Sequence, residues 1–173
     1  MLDQRTGQGK LETQRLVLRE LDIGDLDFVA SMLEDPRVTR FYPKRYTRAD
    51  AAGWIERQRT RYAEDGYGLW LVLLRGGGTP VGQVGLLRQE VNGILMPEIG
   101  YLLAQRFWGQ GIATEAAIAT RDYAFGELGF DRVVSLIRPE NLPSQGVARR
   151  VGMRPVGSTL HAGLEHLVFA IDR

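Results

Sequence analysis

Four groups of residues have types and spacings that can do chemistry. The first is the run Arg106-Phe107-Trp108-Gly109-Gln110-Gly111, which leads straight into an alanine-rich helical stretch. A glycine turn that opens a helix leaves several main-chain N–H groups unpaired and pointing one way, with the positive end of the helix dipole behind them. That arrangement binds phosphate oxygens. Gly109 and Gly111 permit close approach of the backbone, and the helix start adds the N–H groups of Ile112 and Ala113 and the hydroxyl of Thr114. A purely structural turn accounts for the glycines equally well. No Gly-Lys-Ser/Thr follows, so this is not a nucleoside-triphosphate loop, and Thr114 occupies the third glycine position of a dinucleotide fingerprint.

The second group is Glu98, a carboxylate within a strand-like run at residues 94–103. It can take a proton through a water, or it can pair with a neighbouring arginine. The third is Asn141 and Ser144. An amide side chain both donates and accepts, and a hydroxyl can protonate a leaving group; their plain alternatives are a helix N-cap and a surface serine. The fourth is Arg149 and Arg150, whose guanidinium groups match phosphate oxygens or stand on a solvated helix face.

These groups need a frame to hold them. Residues 15–21 read as a half-buried strand, and Asp22 and Asp25 then cap a helix bearing Leu26, Val29, Ala30 and Leu33, which stops at Asp35-Pro36. A basic loop at residues 37–48 follows. Thr47 and Asp50 cap a second helix bearing Ala51, Trp54, Ile55, Gln58 and Tyr62, ended by Gly66. Runs at 69–74 and 81–87 flank the turn from Gly76 to Pro80 and predict an antiparallel hairpin. The helix after Gly111 runs to about Leu128, with Ala113, Ala116, Ala117, Thr120, Ala124 and Leu128 on one close-packing face and Gly129 at its end. Residues 133–137 predict a strand, Val147, Ala148 and Val151 a short helix stopped by Gly152, and residues 164–171 a last strand.

With 173 residues and no repeat or linker, the chain is expected to form one domain over residues 1–173, with residues 1–10 as a flexible lead. The 22 basic and 21 acidic residues nearly cancel, so no global field points to nucleic acid or to an anionic membrane. Absence of cysteine removes disulfides, thiolate metal sites and a cysteine nucleophile. His161 and His166 are spaced poorly for a metal, and none is expected. Neither a signal-peptide core nor a membrane-spanning run is present, so the expected location is cytoplasmic.

The run from Arg106 to Gly111 resembles the Gln/Arg-x-x-Gly-x-Gly/Ala pattern that grips the CoA pyrophosphate in the GNAT superfamily of N-acetyltransferases. Pro97-Glu98-Ile99-Gly100-Tyr101-Leu102-Leu103 before it, and Asn141-Leu142-Pro143-Ser144 with Val147-Ala148-Arg149-Arg150-Val151-Gly152-Met153 after it, extend the match. Together with the opening from Leu11 to Arg19, this order resembles the subgroup of ribosomal-protein alanine and serine N-acetyltransferases (RimJ/RimL-like). The resemblance implies an α/β (α+β) fold: a mixed, mainly antiparallel sheet, flanked by helices and splayed in a V between its fourth and fifth strands.

In that fold the pantetheine arm enters the V. The resemblance implies that main-chain groups of Tyr101, Leu102 and Leu103 pair with it as an added strand would, one N–H polarising the thioester carbonyl. Residues from Arg106 to Thr114 hold the pyrophosphate, Asn141 meets the pantetheine, and Arg149 or Arg150 meets the ribose phosphate. Ser144 stands where many members carry a tyrosine that protonates the departing thiolate, and Glu98 stands on the acceptor side as a base. Phe41, Tyr42, Tyr46, Trp54 and Tyr62 wall the acceptor pocket or pack in the core.

The implied activity is direct transfer of an acetyl group from acetyl-CoA to a primary amine, through a ternary complex and a tetrahedral intermediate, with no metal. Arg37, Arg40, Lys44, Arg45 and Arg48 crowd the loop beside the acceptor and would repel a polycation. This favours a protein or peptide N-terminus, or an amino-acid-like small molecule. A polyamine or aminoglycoside acceptor, and a CoA-binding regulatory module without turnover, are the alternatives. A homodimer is left open.

Overall fold

The computed structural model describes residues 9–173. Most of the expected lead, residues 1–8, lies outside the described residues. Two capping boxes start the helical half of the chain. Asp22 accepts from the Gly24 N–H at 2.6 Å, while Asp25 closes the reciprocal bond to the Asp22 N–H at 3.0 Å. A single 3-10 turn then leads into helix α1, Leu26–Leu33. Thr47 and Asp50 do the same for helix α2, Arg48–Glu64. Each reciprocal pair satisfies two of the N–H groups that a helix start leaves without partners.

Strands β1 (Leu11–Glu12), β2 (Leu16–Arg19), β3 (Leu69–Leu74), β4 (Pro80–Val91) and β5 (Ile94–Leu103) pair antiparallel in that order. Helix α3 (Ile112–Gly126) carries the chain to β6 (Arg132–Ile137), and helix α4 (Leu142–Val151) carries it on to β7 (Arg154–His161) and β8 (Leu164–Asp172). The sheet order is β1-β2-β3-β4-β5-β6-β8-β7, and β5 with β6 is its parallel pair. The splay expected between the fourth and fifth strands lies between β5 and β6, because the two-residue β1 adds one to the count.

Three boundaries differ from the sequence expectation. Strand β4 runs on to Val91, and the chain reverses at Asn92-Gly93, both with positive φ (49° and 82°). Only such residues suit the tight turn of a two-residue hairpin. Helix α3 ends at Gly126, and Gly129 (φ 70°) redirects the chain three residues later. Strand β7 was not expected at all: its run Arg154-Pro155-Val156-Gly157-Ser158 carries no apolar alternation, because it is an edge strand with little buried surface.

Alternation along the strands divides the core. Trp70 and Val72 of β3 pack with Ala116, Ala117 and Ala124 of α3 and Ala148 of α4, whereas Leu71 between them packs with Val29 and Leu33 of α1 and Ile55 of α2. Helices α3 and α4 therefore cover one face of the sheet, and α1 and α2 cover the other. The small residues of α3 let its backbone lie close to the strands, as expected.

The parallel ladder between β5 and β6 contains one register pair, Glu98 with Val134. Beyond it two side chains bridge the widening gap. The Ser135 hydroxyl donates to the Ile99 carbonyl at 2.7 Å, and Glu98 Oε1 accepts from the Leu136 N–H at 3.2 Å.

The position of the far end of β5 depends on Gly82, which pairs with Leu103. A Cβ there would sit 2.8 Å from the Leu103 Cα and would overlap the Leu102 carbonyl. Gly82→Ala is expected to destabilise the fold by about 1–3 kcal/mol through overpacking. Urea unfolding should show a lower midpoint at unchanged slope.

Candidate active site

After Leu103 the chain makes one 3-10 turn, Gln105–Phe107, and then passes through Gly109 (φ 72°) and Gly111 (φ 75°) into α3. Gly111 is the N-cap, and no side chain caps the helix. The N–H groups from Gly109 to Thr114 find no acceptor among the described residues. Left-handed backbone at both glycines turns these donors towards one concavity.

A strut holds this loop from behind. Thr13 Oγ1 donates to Glu115 Oε1 at 2.6 Å, Arg15 Nε donates to Glu115 Oε2 at 2.6 Å, and Arg15 Nη1 donates to the Gln110 carbonyl at 3.0 Å. Burial works against ionisation of Glu115, but the bonds from Thr13 and Arg15 outweigh it and hold the carboxyl below its ordinary range. Sequence reasoning missed this pair because about a hundred residues separate its members. The signal available was a glutamate in the first turn of a helix that begins at glycine.

Facing the loop across the gap is the edge of β5. The Ile99 carbonyl points at β6, so by alternation the main-chain groups of Tyr101 and Leu103 point the same way, where β6 has already diverged. The Trp108 indole takes the Leu103 carbonyl at 3.0 Å, and the N–H groups of both residues face the gap. Leu102 corrects the sequence expectation. Its carbonyl is turned towards Gly82 on β4, so its main chain is committed inside the sheet.

Helix α4 closes this side. Asn141 Oδ1 caps it by accepting from the Ser144 N–H at 3.2 Å, leaving the amide NH2 to face the cavity. The Tyr101 phenol donates to the Ser144 carbonyl at 2.7 Å and ties β5 to the first turn of α4. The Ser144 hydroxyl lines the cavity and has no partner among the described residues. Arg150 Nε reaches Thr114 Oγ1 at 3.1 Å and brings a guanidinium to the glycine loop. Arg149 does not reach it; its guanidinium lies 5.3 Å from the centre of the Phe169 ring. Successive helical residues diverge by about 100°, so only one of the two arginines can face the loop. The side chains of Arg106, stacked on Phe107 at 4.9 Å, and of Gln110, bonded to the Arg106 carbonyl at 3.1 Å, likewise turn from the cavity. Ile112 is buried in the core and, with Ala113 and Thr114, lines the cavity.

The cavity, about 1430 Å³, passes through the gap to the α1/α2 face. Glu98 lies on that face, and burial pushes its carboxyl up to about 7 against the opposing pull of the Leu136 N–H and of Arg61. Tyr42, Tyr46 and Trp54 form an edge-to-face cluster with centroids 5.9–6.4 Å apart, and they wall the cavity with Phe41. Tyr62 does not belong to this wall: its hydroxyl donates to the Leu69 carbonyl and accepts from the Leu21 N–H, which fixes α2 to the sheet.

In the basic loop, Arg37, Lys44 and Arg48 each pair with a carboxylate (Asp35, Asp50 and Asp27). The cationic character of the cavity comes also from residues that the sequence did not single out, Arg57, Arg61 and Arg138. His161 and His166 line it too, stacked edge to face at 5.4 Å. His166 Nδ1 lies 2.9 Å from the Leu164 carbonyl. A carbonyl only accepts, so Nδ1 carries the hydrogen.

The family model described as an acetyltransferase (GNAT) domain matches residues 15–154. The chain belongs to the GNAT acetyltransferases. This GNAT chain is 37% identical over 149 residues to the uncharacterised protein YkkB of Bacillus subtilis, covering 83% of this chain and 84% of that one. An Agrobacterium tumefaciens acetyltransferase superposes with a TM-score of 0.84 at 29% identity, with 94% of each chain covered. Mycobacterium smegmatis RimJ, solved with CoA-disulfide, shares the fold with a TM-score of 0.74 at 22% identity, covering 91% of this chain and 81% of that one.

The GNAT enzyme uses acetyl-CoA as its co-substrate, and the residues present fit one. The free N–H groups at a helix start suit a pyrophosphate, and the unpaired edge of β5 suits a chain of amides. Gly111→Val should raise the CoA dissociation constant at least tenfold, because φ near +75° is strained for a β-branched residue. Arg150→Ala should weaken binding about three- to tenfold, the scale of a charge-assisted bond to phosphate, and Arg149→Ala less than twofold. Calorimetric titration of the three variants checks this, and equal losses for the two arginines would reject the placement of Arg150.

Proposed function

We propose that this N-acetyltransferase acts on a protein or peptide N-terminus, or on an amino-acid-like small molecule, with Glu98 as base and Ser144 as acid. The observation that carries the reading is the position of Glu98. Its carboxylate lies where β5 and β6 part, with one oxygen held by the Leu136 N–H at 3.2 Å. The amine side of the cavity and the thioester side meet at that gap.

Acetyl-CoA supplies an activated acyl group. The N–H of Tyr101 or Leu103 is aimed into the gap as donor to the thioester oxygen, whose charge grows during attack. Glu98 takes a proton from the amine, directly or through a water, as the nitrogen bonds to the acetyl carbon. Ser144 gives a proton to sulfur as the carbon–sulfur bond breaks, and solvent restores the hydroxyl. Tyr101 is the other hydroxyl nearby, but its proton is engaged by the Ser144 carbonyl and burial raises its pKa. The resemblance to ribosomal-protein N-acetyltransferases supports a peptide N-terminus, and the cationic cavity supports an acceptor that is not a polycation.

Two measurements test these roles. With Glu98 titrating at about 7, kcat/KM should rise through that pH and level off above it. Glu98→Gln should remove this rise and slow transfer by about 100-fold or more. The same raised pKa means that stability is full below the ordinary carboxylate range and is lost as pH climbs through 7. The Tm advantage of Glu98→Gln over the parent should therefore be larger at pH 8 than at pH 5. Ser144→Ala should lower single-turnover transfer about 10- to 100-fold, with little change in acetyl-CoA affinity. A loss of affinity with normal turnover would assign Ser144 to binding instead.

A further inference from the structure

Arg138 lies just past the end of β6, on the wall of the cavity's acceptor half. It stands two positions beyond Leu136, whose N–H holds Glu98, and alternation puts Leu136 and Arg138 on the same face. Its side chain is only 21% exposed, and its Nε is buried with no hydrogen-bond partner. Its contact with a carboxylate is Nη2 to Glu140 Oε1 at 3.4 Å, and the Glu140 side chain is 62% exposed. A buried guanidinium N–H without an acceptor calls for one, because charged donors are the costliest to leave unpaired.

The surroundings point to an anion from outside the protein. Arg61, across the same cavity, bonds to the neutral amide of Gln58 at 3.3 Å, and Arg57 stacks on Trp54 at 5.8 Å; neither has a carboxylate partner among the described residues. The acidic residues of the lining are Glu98, occupied by the Leu136 N–H, and the exposed Glu140, which meets Arg138 at 3.4 Å. A concave wall in which arginines outnumber carboxylates concentrates ligands of negative charge. Arg138 stands two residues past Leu136, about 7 Å along the backbone, so its guanidinium and the Glu98 carboxylate are both placed by the end of β6. That placement suits an amine whose anionic group is a few bonds from its nitrogen.

We infer that Arg138 holds the carboxylate of the acceptor, with Arg61 completing the field, and that the substrate class is a free α-amino acid or similar small amine bearing a carboxylate near its nitrogen. This rests on the acetyltransferase reading of Glu98 and narrows it. A fork of N–H groups recognises a planar carboxylate in two-point fashion, which a single ammonium does not.

The test is a panel of free amino acids, each with its carboxamide, and short peptides with free N-termini, assayed for CoA release with the full-length protein. The parent enzyme should prefer the acid over its amide at least tenfold in kcat/KM. Arg138→Gln should bring that ratio close to one by raising KM for the acid at least tenfold, with kcat changed less than threefold. Arg138→Lys should restore part of the preference, since charge returns without the fork. An unchanged acetyl-CoA dissociation constant shows that the variants are folded. Acetylation of peptides and amides as fast as free acids, or a preference that survives Arg138→Gln, overturns the subsite and leaves the acetyltransferase reading standing. Binding of acetyl-CoA with no acetylation of any amine overturns both.

Discussion

The rest of the site depends on the single register pair between β5 and β6. A parallel ladder normally continues until its strands end, but here it stops at Glu98 and Val134 while β5 runs on for five more residues. The main-chain groups left open are not abandoned. Ser135 takes the Ile99 carbonyl, Glu98 takes the Leu136 N–H, and the Trp108 indole takes the Leu103 carbonyl. What remains is a short strip of N–H groups at Tyr101 and Leu103, in a gap whose far side is α4. A buried sheet edge is tolerated when a ligand pairs with it, and the three side-chain bonds limit the edge to the length that one pantetheine arm can cover.

Strand alternation then sorts the chemistry. Even-numbered β5 residues, Glu98, Gly100 and Leu102, face α1 and α2; odd-numbered ones, Ile99, Tyr101 and Leu103, face α3 and α4. Residues that suit the phosphate end of a cofactor come from the α3/α4 face, through Gly111, Thr114, Asn141 and Arg150. Residues that suit an amine come from the α1/α2 face, through Glu98, Tyr42 and Trp54. The gap is where the two sets meet. A one-residue slip of β5 would exchange Glu98 for Ile99 on the acceptor face, so the register set by β4 is as much a part of the site as the carboxylate itself.

Legibility in the sequence followed the locality of each interaction. The glycine loop, the Thr47–Asp50 capping box and the Asn141 cap are made within a few residues, and each was readable. The Arg15–Glu115 strut and the bond from Tyr101 to Ser144 join distant segments, and no local pattern marks them. Arg149 and Arg150 show the finer limit: which one faces the loop depends on the rotational phase of a ten-residue helix whose start is set by Asn141. Leu102 shows the same for a strand, since a motif gives three consecutive residues while the backbone can aim only alternate ones at the gap. For Tyr62 pocket wall and core packing were both open, and its place on α2 decides for packing by turning its hydroxyl to the main chain of Leu21 and Leu69.

The electrostatics of the acceptor side contain a conflict that shapes the chemistry. An amine arrives mostly as an ammonium ion, and Arg57, Arg61 and Arg138 repel it. The same field favours loss of its proton, since nearby positive charge lowers an ammonium pKa just as it lowers that of a carboxyl. Only the neutral amine attacks, so the repulsion that hinders binding assists the reaction. Glu98 sits between the two demands: burial lifts its pKa to about 7, and Arg61 and the Leu136 N–H keep it from rising further. In its proposed role it would at neutral pH both attract the ammonium, when ionised, and have enough proton affinity to accept what the amine loses. An acceptor that carries its own anion relieves the remaining repulsion without weakening the field at its nitrogen, and that makes a cationic wall compatible with an amine substrate.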